Sequence, residues 1–146
     1  MSFASEKQID EVLSAAQLIA IVGLSNKPER DSYKVAQYLR EQGYQVIGVN
    51  PLLADSEIDG VPCYASLEQA QHAQTQAIDI VDCFRKSEEV LEIANSIRNM
   101  PVKCFWMQLG VINHAAAEIA RAAGQIVVMD KCTKIEHRRM RDRQSV

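Results

Sequence analysis

Apolar residues recur along the chain in two alternating rhythms: short near-continuous runs, and longer stretches in which they return every three or four positions. The runs at 18–23, 46–49, 77–82, 102–107 and 126–129 predict buried strands. The periodic stretches at 5–16, about 32–42 and 87–100, and the one that Asn113 opens and that runs to Ala123, predict amphipathic helices with a single apolar face. Gly43 and Gly124 fall just past two of these helices, where a left-handed residue commonly ends one. Pro51 closes the second strand because it has no N–H for a ladder, and the polar segment through Asp59-Gly60 reads as a loop. Residues 61–64 contain Pro62 and predict a short edge strand, followed by a brief helix capped by Ser66. Strand and helix alternate from end to end. Strands that are apolar on both faces must lie between helical layers, so the fold class is α/β, a Rossmann-like doubly wound parallel sheet of about five strands with right-handed crossovers.

In such a sheet a ligand sits beyond the carboxyl ends of the strands, and the sequence names the residues found there. After the first strand come Gly23, Leu24, Ser25 and Asn26, with Arg30, Ser32 and Tyr33 opening the next helix. A strand ending in glycine lets the backbone approach a ligand without an intervening Cβ, and a helix start offers unpaired N–H groups to an anion. The segment therefore predicts a phosphate pocket, although the second and third glycines of the dinucleotide fingerprint are missing. Ser32 suits a helix cap or a phosphate contact equally, and Arg30 suits a phosphate clamp or an exposed loop charge. Asn50-Pro51 follows the second strand where an NAD domain usually carries an acid for the ribose, so ordinary NAD binding is disfavoured. That pair fits a plain turn or a ribose bearing a phosphate. Phe84-Arg85 pairs a flat ring with a fixed-charge fork, suited to adenine and phosphate, while Gln108 and Gly110 follow the fourth long strand. Trp106 and Met107 read as core.

Composition narrows the choice further. The 146 residues suffice for one domain over 1–146, with a core at about 18–130, the helix at 5–16 and a basic segment at 131–146. Sixteen basic against nineteen acidic residues leave a net charge of -3, which recommends neither nucleic acid nor an anionic membrane as partner. No apolar run nears the roughly 20 residues needed to cross a bilayer, so a cytoplasmic location is expected. Cys63, Cys83, Cys104 and Cys132 are widely spaced without a zinc pattern and are expected as free thiols; no metal is expected. No serine elbow, P-loop or His-Glu-x-x-His motif is present. Cys132, between Lys131 and Lys134, is the one candidate nucleophile, and the basic run around it reads as a solvated helix face or an anion or RNA contact.

Taken in order, Ile21-Val-Gly23-Leu-Ser25 with Arg30 and Ser32-Tyr33, Val49-Asn50-Pro51, the stretch from Asp79 to Arg85, Trp106 to Gly110, and Asp130-Lys-Cys132 carry a likeness. The chain resembles the stand-alone CoA-binding proteins, which are similar to the CoA-binding domain of the succinyl-CoA synthetase alpha subunit. The resemblance runs from about Ile19 to Met140. It implies coenzyme A as ligand, with its pyrophosphate at the loop after the first strand and its adenosine end near Asn50-Pro51 and Phe84-Arg85. Gln108 and Gly110 would line the other side. The synthetases carry their phosphorylated histidine on a second domain, so ligase activity is not expected of this chain. A CoA or acyl-CoA binding protein is the expectation; an NAD(P)-linked enzyme, a Cys132-dependent acyl transferase and a partner-binding subunit are the alternatives.

Overall fold

A computed structural model describes residues 3–145. The first helix, α1 (Glu6–Ala15), begins at a capping box in which Ser5 and Gln8 satisfy each other's backbone N–H groups. It leads into β1 (Leu18–Val22), buried at every position. Then follow α2 (Asp31–Glu41), β2 (Gln45–Val49), β3 (Glu57–Ile58), β4 (Val61–Tyr64), α3 (Leu67–His72) and β5 (Ile80–Cys83). The chain continues through α4 (Val90–Ile97), β6 (Cys104–Met107), α5 (His114–Ala122), β7 (Ile126–Val128) and α6 (Thr133–Gln144).

The strands form one sheet in the order β3-β4-β2-β1-β5-β6-β7. Every pairing is parallel except that of β3 with β4. The order runs outward from β1 in both directions, so the switch point lies between β1 and β5, and a crevice opens there at the carboxyl edge. Strand alternation divides the core into two layers. Leu18, Ala20 and Val22 face α3, α4 and α5, whereas Ile19 and Ile21 face α1, α2 and α6. Trp106, fully buried in the second layer, donates its indole N–H to the Lys131 carbonyl at 2.8 Å, which ties β6 to the chain entering α6.

The sheet has seven strands where about five are expected, and two of the differences have a local cause. Residues 61–64 are not the sheet edge: β4 pairs with β2 through Cys63 and Tyr64, and the two-residue β3 lies outside it. Asp59 and Gly60, with φ of 45 and 90, make the two-residue turn of a hairpin that has no length to show periodicity. Pro62 is tolerated because it sits opposite Glu57 and outside the pairs made with β2. The helix expected over 87–100 is shorter, a 3-10 turn at Ser87–Glu89 followed by α4.

Candidate functional site

The β1–α2 loop is shaped by Gly23. Its φ is +91, and a Cβ there would stand 2.8 Å from the Phe84 carbonyl oxygen and 2.9 Å from Arg85 Cδ. Any side chain would collide with the end of β5, so glycine is required for two strand ends to meet. The Gly23 N–H donates to the Val49 carbonyl at 2.8 Å, and the Phe84 N–H donates to the Val22 carbonyl at 2.8 Å. The glycine therefore brings the two strand ends together and leaves the donating to its neighbours.

Ser32 does not cap α2. The cap position is Arg30, whose side chain makes no capping bond, and Ser32 lies inside the first turn, 5 % exposed. Its hydroxyl accepts the Ser25 N–H at 3.0 Å, while Ser25 Oγ accepts the Lys27 N–H at 3.1 Å. These bonds fold the loop back over the helix start. The first-turn amides of α2 are left without a side-chain cap, the condition under which a helix end draws an anion.

Two cavities adjoin at this point. The smaller, about 420 Å³, is lined by Gly23, Ser25, Lys27, Arg30, Ser32 and Phe84, with Asp31 at the boundary. The larger, about 480 Å³, shares Asp31 and Phe84 and runs on past Arg85 and Gln108 to Cys132. Its walls are apolar at Val35, Leu109, Val111 and Ile135, and basic at Lys34, Lys134 and Arg138. Arg85 is held by Glu89 at 2.6 Å, and this bond is the first cause of the Glu89 carboxyl lying below its ordinary value. Lys134 and Arg138 stand 5.7 and 5.3 Å from the centre of the Tyr38 ring.

Beneath the larger cavity lies a buried polar cluster. Gln108 donates its amide to Asp82 Oδ1 at 2.6 Å and to Thr133 Oγ1 at 2.8 Å, and the Thr133 hydroxyl donates to Asp82 Oδ2 at 2.8 Å. Asp82 is fully buried, and burial pushes its carboxyl up to about 7 against the two hydrogen bonds that lower it. The cluster joins the ends of β5 and β6 to the start of α6. Gln108 thus presents itself to the crevice with its amide N–H groups already engaged.

Of the residues expected at the site, Gly23, Ser25, Arg30 and Ser32 meet in the smaller cavity and Arg85 and Gln108 in the larger, with Phe84 between them. The others lie outside both linings. Leu24 is 1 % exposed and packs in the core, so only its backbone faces the loop. Asn26 is exposed, and Tyr33 donates its hydroxyl to Asp59. Asn50 gives its side-chain N–H to the Leu24 carbonyl at 2.9 Å and accepts the Leu52 N–H at 3.0 Å, which makes it the brace of the loop, with Pro51 exposed beside it. Gly110 donates to Asp130 Oδ1 at 2.6 Å. Cys132 stands at the N-cap of α6, after the last strand, half-buried and lining the larger cavity, while Cys63, Cys83 and Cys104 are buried free thiols. The sequence reading missed Lys34, Val35, Val111, Ile135 and Arg138. The available signal was the spacing of Lys134 and Arg138, one helical turn apart.

Fold and crevice together define a doubly wound α/β domain with a two-part mouth at its switch point. Comparison with known proteins gives the family. A family model described as CoA binding domain matches residues 17–138, and the chain belongs to that family. YneT of Bacillus subtilis, itself uncharacterized, is 35% identical over 137 residues, covering 94% of this chain and 97% of YneT. Among solved structures, cell-free ID.343 from Thermus thermophilus superposes with a TM-score of 0.85 at 31% identity, covering 94% of this chain and 99% of its own. A hypothetical protein from Pyrococcus horikoshii OT3 gives 0.84 at 35% identity, covering 94% and 92%. Family membership supports CoA binding in general. Among the described residues no helix is long and apolar enough to cross a membrane.

Proposed function

We propose that this protein binds CoA or an acyl-CoA across the two cavities and has no catalytic centre of its own. The pyrophosphate occupies the smaller cavity, on the uncapped first turn of α2, with Lys27 and Arg30 supplying countercharge. The adenosine end runs toward Asn50-Pro51 and Phe84, the placement that the resemblance to the synthetase alpha subunit implies. Pantetheine passes Phe84 into the larger cavity, whose apolar walls suit its methylenes. The observation that carries this assignment is the cavity of about 420 Å³ at the uncapped first turn of α2, lined by Gly23, Ser25, Lys27, Arg30 and Ser32, where a diphosphate would meet free amides and positive charge. NAD is the poorer candidate, because Asn50 offers no acid and both ends of its side chain bind backbone.

Calorimetric titration with CoA, NAD and NADP tests the assignment. CoA binds and raises the melting temperature by several degrees at about one hundred times Kd, as linkage requires for some 2.7 kcal/mol of stabilisation. Binding of NAD or NADP with none of CoA at millimolar concentration overturns it. A second reading, acyl transfer to Cys132, is favoured by the thiol's place in the larger cavity. Turnover of an acyl-CoA that Cys132→Ala abolishes would establish it.

A further inference from the structure

We infer that the larger cavity selects CoA thioesters whose acyl group ends in a carboxylate. The inference rests on the CoA assignment above and names the class of acyl group that the same site prefers.

The basic side chains at this cavity come from three separate parts of the chain: Lys34 on α2, Arg85 after β5, and Lys134 with Arg138 on α6. Arg85 already has a carboxylate partner in Glu89. Among the described residues, Lys34, Lys134 and Arg138 have none within ion-pair distance, and Asp31 at the boundary is the cavity's one acidic lining residue. Helix electrostatics do not favour this grouping. Lys134 lies in the first turn of α6, where the helix dipole disfavours a cation, and Arg138 is a like charge one turn away. The Tyr38 ring, whose hydroxyl meets His137 Nδ1 at 2.8 Å, holds both cations at the cavity's edge. An anion placed among them removes the repulsion and gains charge-assisted hydrogen bonds.

The pyrophosphate of the ligand is already provided for by Lys27, Arg30 and the α2 amides at the smaller cavity, and the ribose phosphate goes with the adenosine end toward Asn50-Pro51. What reaches the larger one is the thioester end. Val35, Leu109, Val111 and Ile135 supply apolar contact for a few methylene groups, and the cations stand where a terminal carboxylate would follow. Such an arrangement discriminates against a neutral acyl chain of equal length, which would leave the cations unpaired.

The test compares, by calorimetry on the full chain, CoA, butyryl-CoA and succinyl-CoA, whose acyl chains have equal length and differ in the terminal carboxylate. Succinyl-CoA should bind about tenfold more tightly than butyryl-CoA, a preference that falls as salt is raised. In the Lys134→Gln/Arg138→Gln double variant, confirmed folded by its melting curve, the ratio of the two affinities should drop to near one. Lys34→Gln, on a different element, should lower the ratio independently. Equal affinities in the wild type, or a ratio unchanged in both variants, overturn the inference while leaving CoA binding intact. A double variant that weakens CoA and both thioesters alike also overturns it, and assigns the cations to a phosphate of CoA itself. Failure of CoA to bind the wild type removes the CoA assignment and this inference together.

Discussion

At Gly23 the close approach of two strand ends is decided by one missing carbon. A side chain at φ +91 is strained for any L residue, and here it also meets the Phe84 carbonyl at 2.8 Å. Gly23→Val should cost on the order of 1–3 kcal/mol in chemical denaturation. Because the displaced atoms belong to the pocket, it should also weaken CoA binding more than tenfold. Unaltered affinity in the folded variant would show that the bend does not serve the ligand. Asp82 offers a second residue-level test. Its carboxyl titrates near 3.8 when unfolded and is raised to about 7 in the fold, chiefly by burial. The neutral form is favoured in the native state, so the stabilisation is complete below the unfolded value and is lost as pH rises through the folded one. Asp82→Asn preserves the shape and removes the titration. The stability of wild type relative to this variant, from urea melts, should decline between about pH 4 and 7 by on the order of a few kcal/mol and then level off. A flat difference would contradict the burial argument.

Among the elements, α6 departs furthest from its sequence. A basic run with weak amphipathic pattern reads as a solvated face, yet Thr133, Glu136, His137 and Met140 are buried and the helix walls the larger cavity. Its contacts explain why periodicity failed. The buried positions are mostly polar and find specific partners, Asp82 for Thr133 and Tyr38 for His137, that no hydrophobic count records. By contrast β1, β2, β5 and β6 were legible, because strands buried on both faces must be apolar throughout. The hairpin of β3 and β4 was not, since two residues carry no rhythm and the Asp59-Gly60 pair was its one signal. The docking of α6 should itself depend on pH. Burial, aided by the Arg141 charge, lowers His137 below its ordinary value, so its contribution is present above about pH 6.5 and is lost as pH falls through the lowered value. Amide exchange in α6, corrected for intrinsic rate, should be faster at about pH 5 than at pH 7, and His137→Gln should remove the difference. Persistence of the difference in the variant would assign it to another group.

Over the whole molecule, sheet order explains how loops far apart in sequence form one mouth. Outward progression from β1 places the ends of β1, β5 and β6 side by side, and α6 returns to close the far wall. Topological reasoning from the sequence found the loops for this reason. It did not separate residues that face the crevice from those that brace it: Asn50 and Leu24 share a hydrogen bond, and Gly110 is tied to Asp130. Side-chain direction at a loop follows from such bonds, and they exist only once the fold is assembled. The most direct test of CoA binding across the two cavities is an amide NMR titration of the full chain with CoA. Saturable shifts should concentrate at Gly23–Ser25, at the first turn of α2, at Phe84 and Arg85, and at Leu109. Shifts confined to surfaces away from these strand ends, or none at millimolar CoA, would contradict the account.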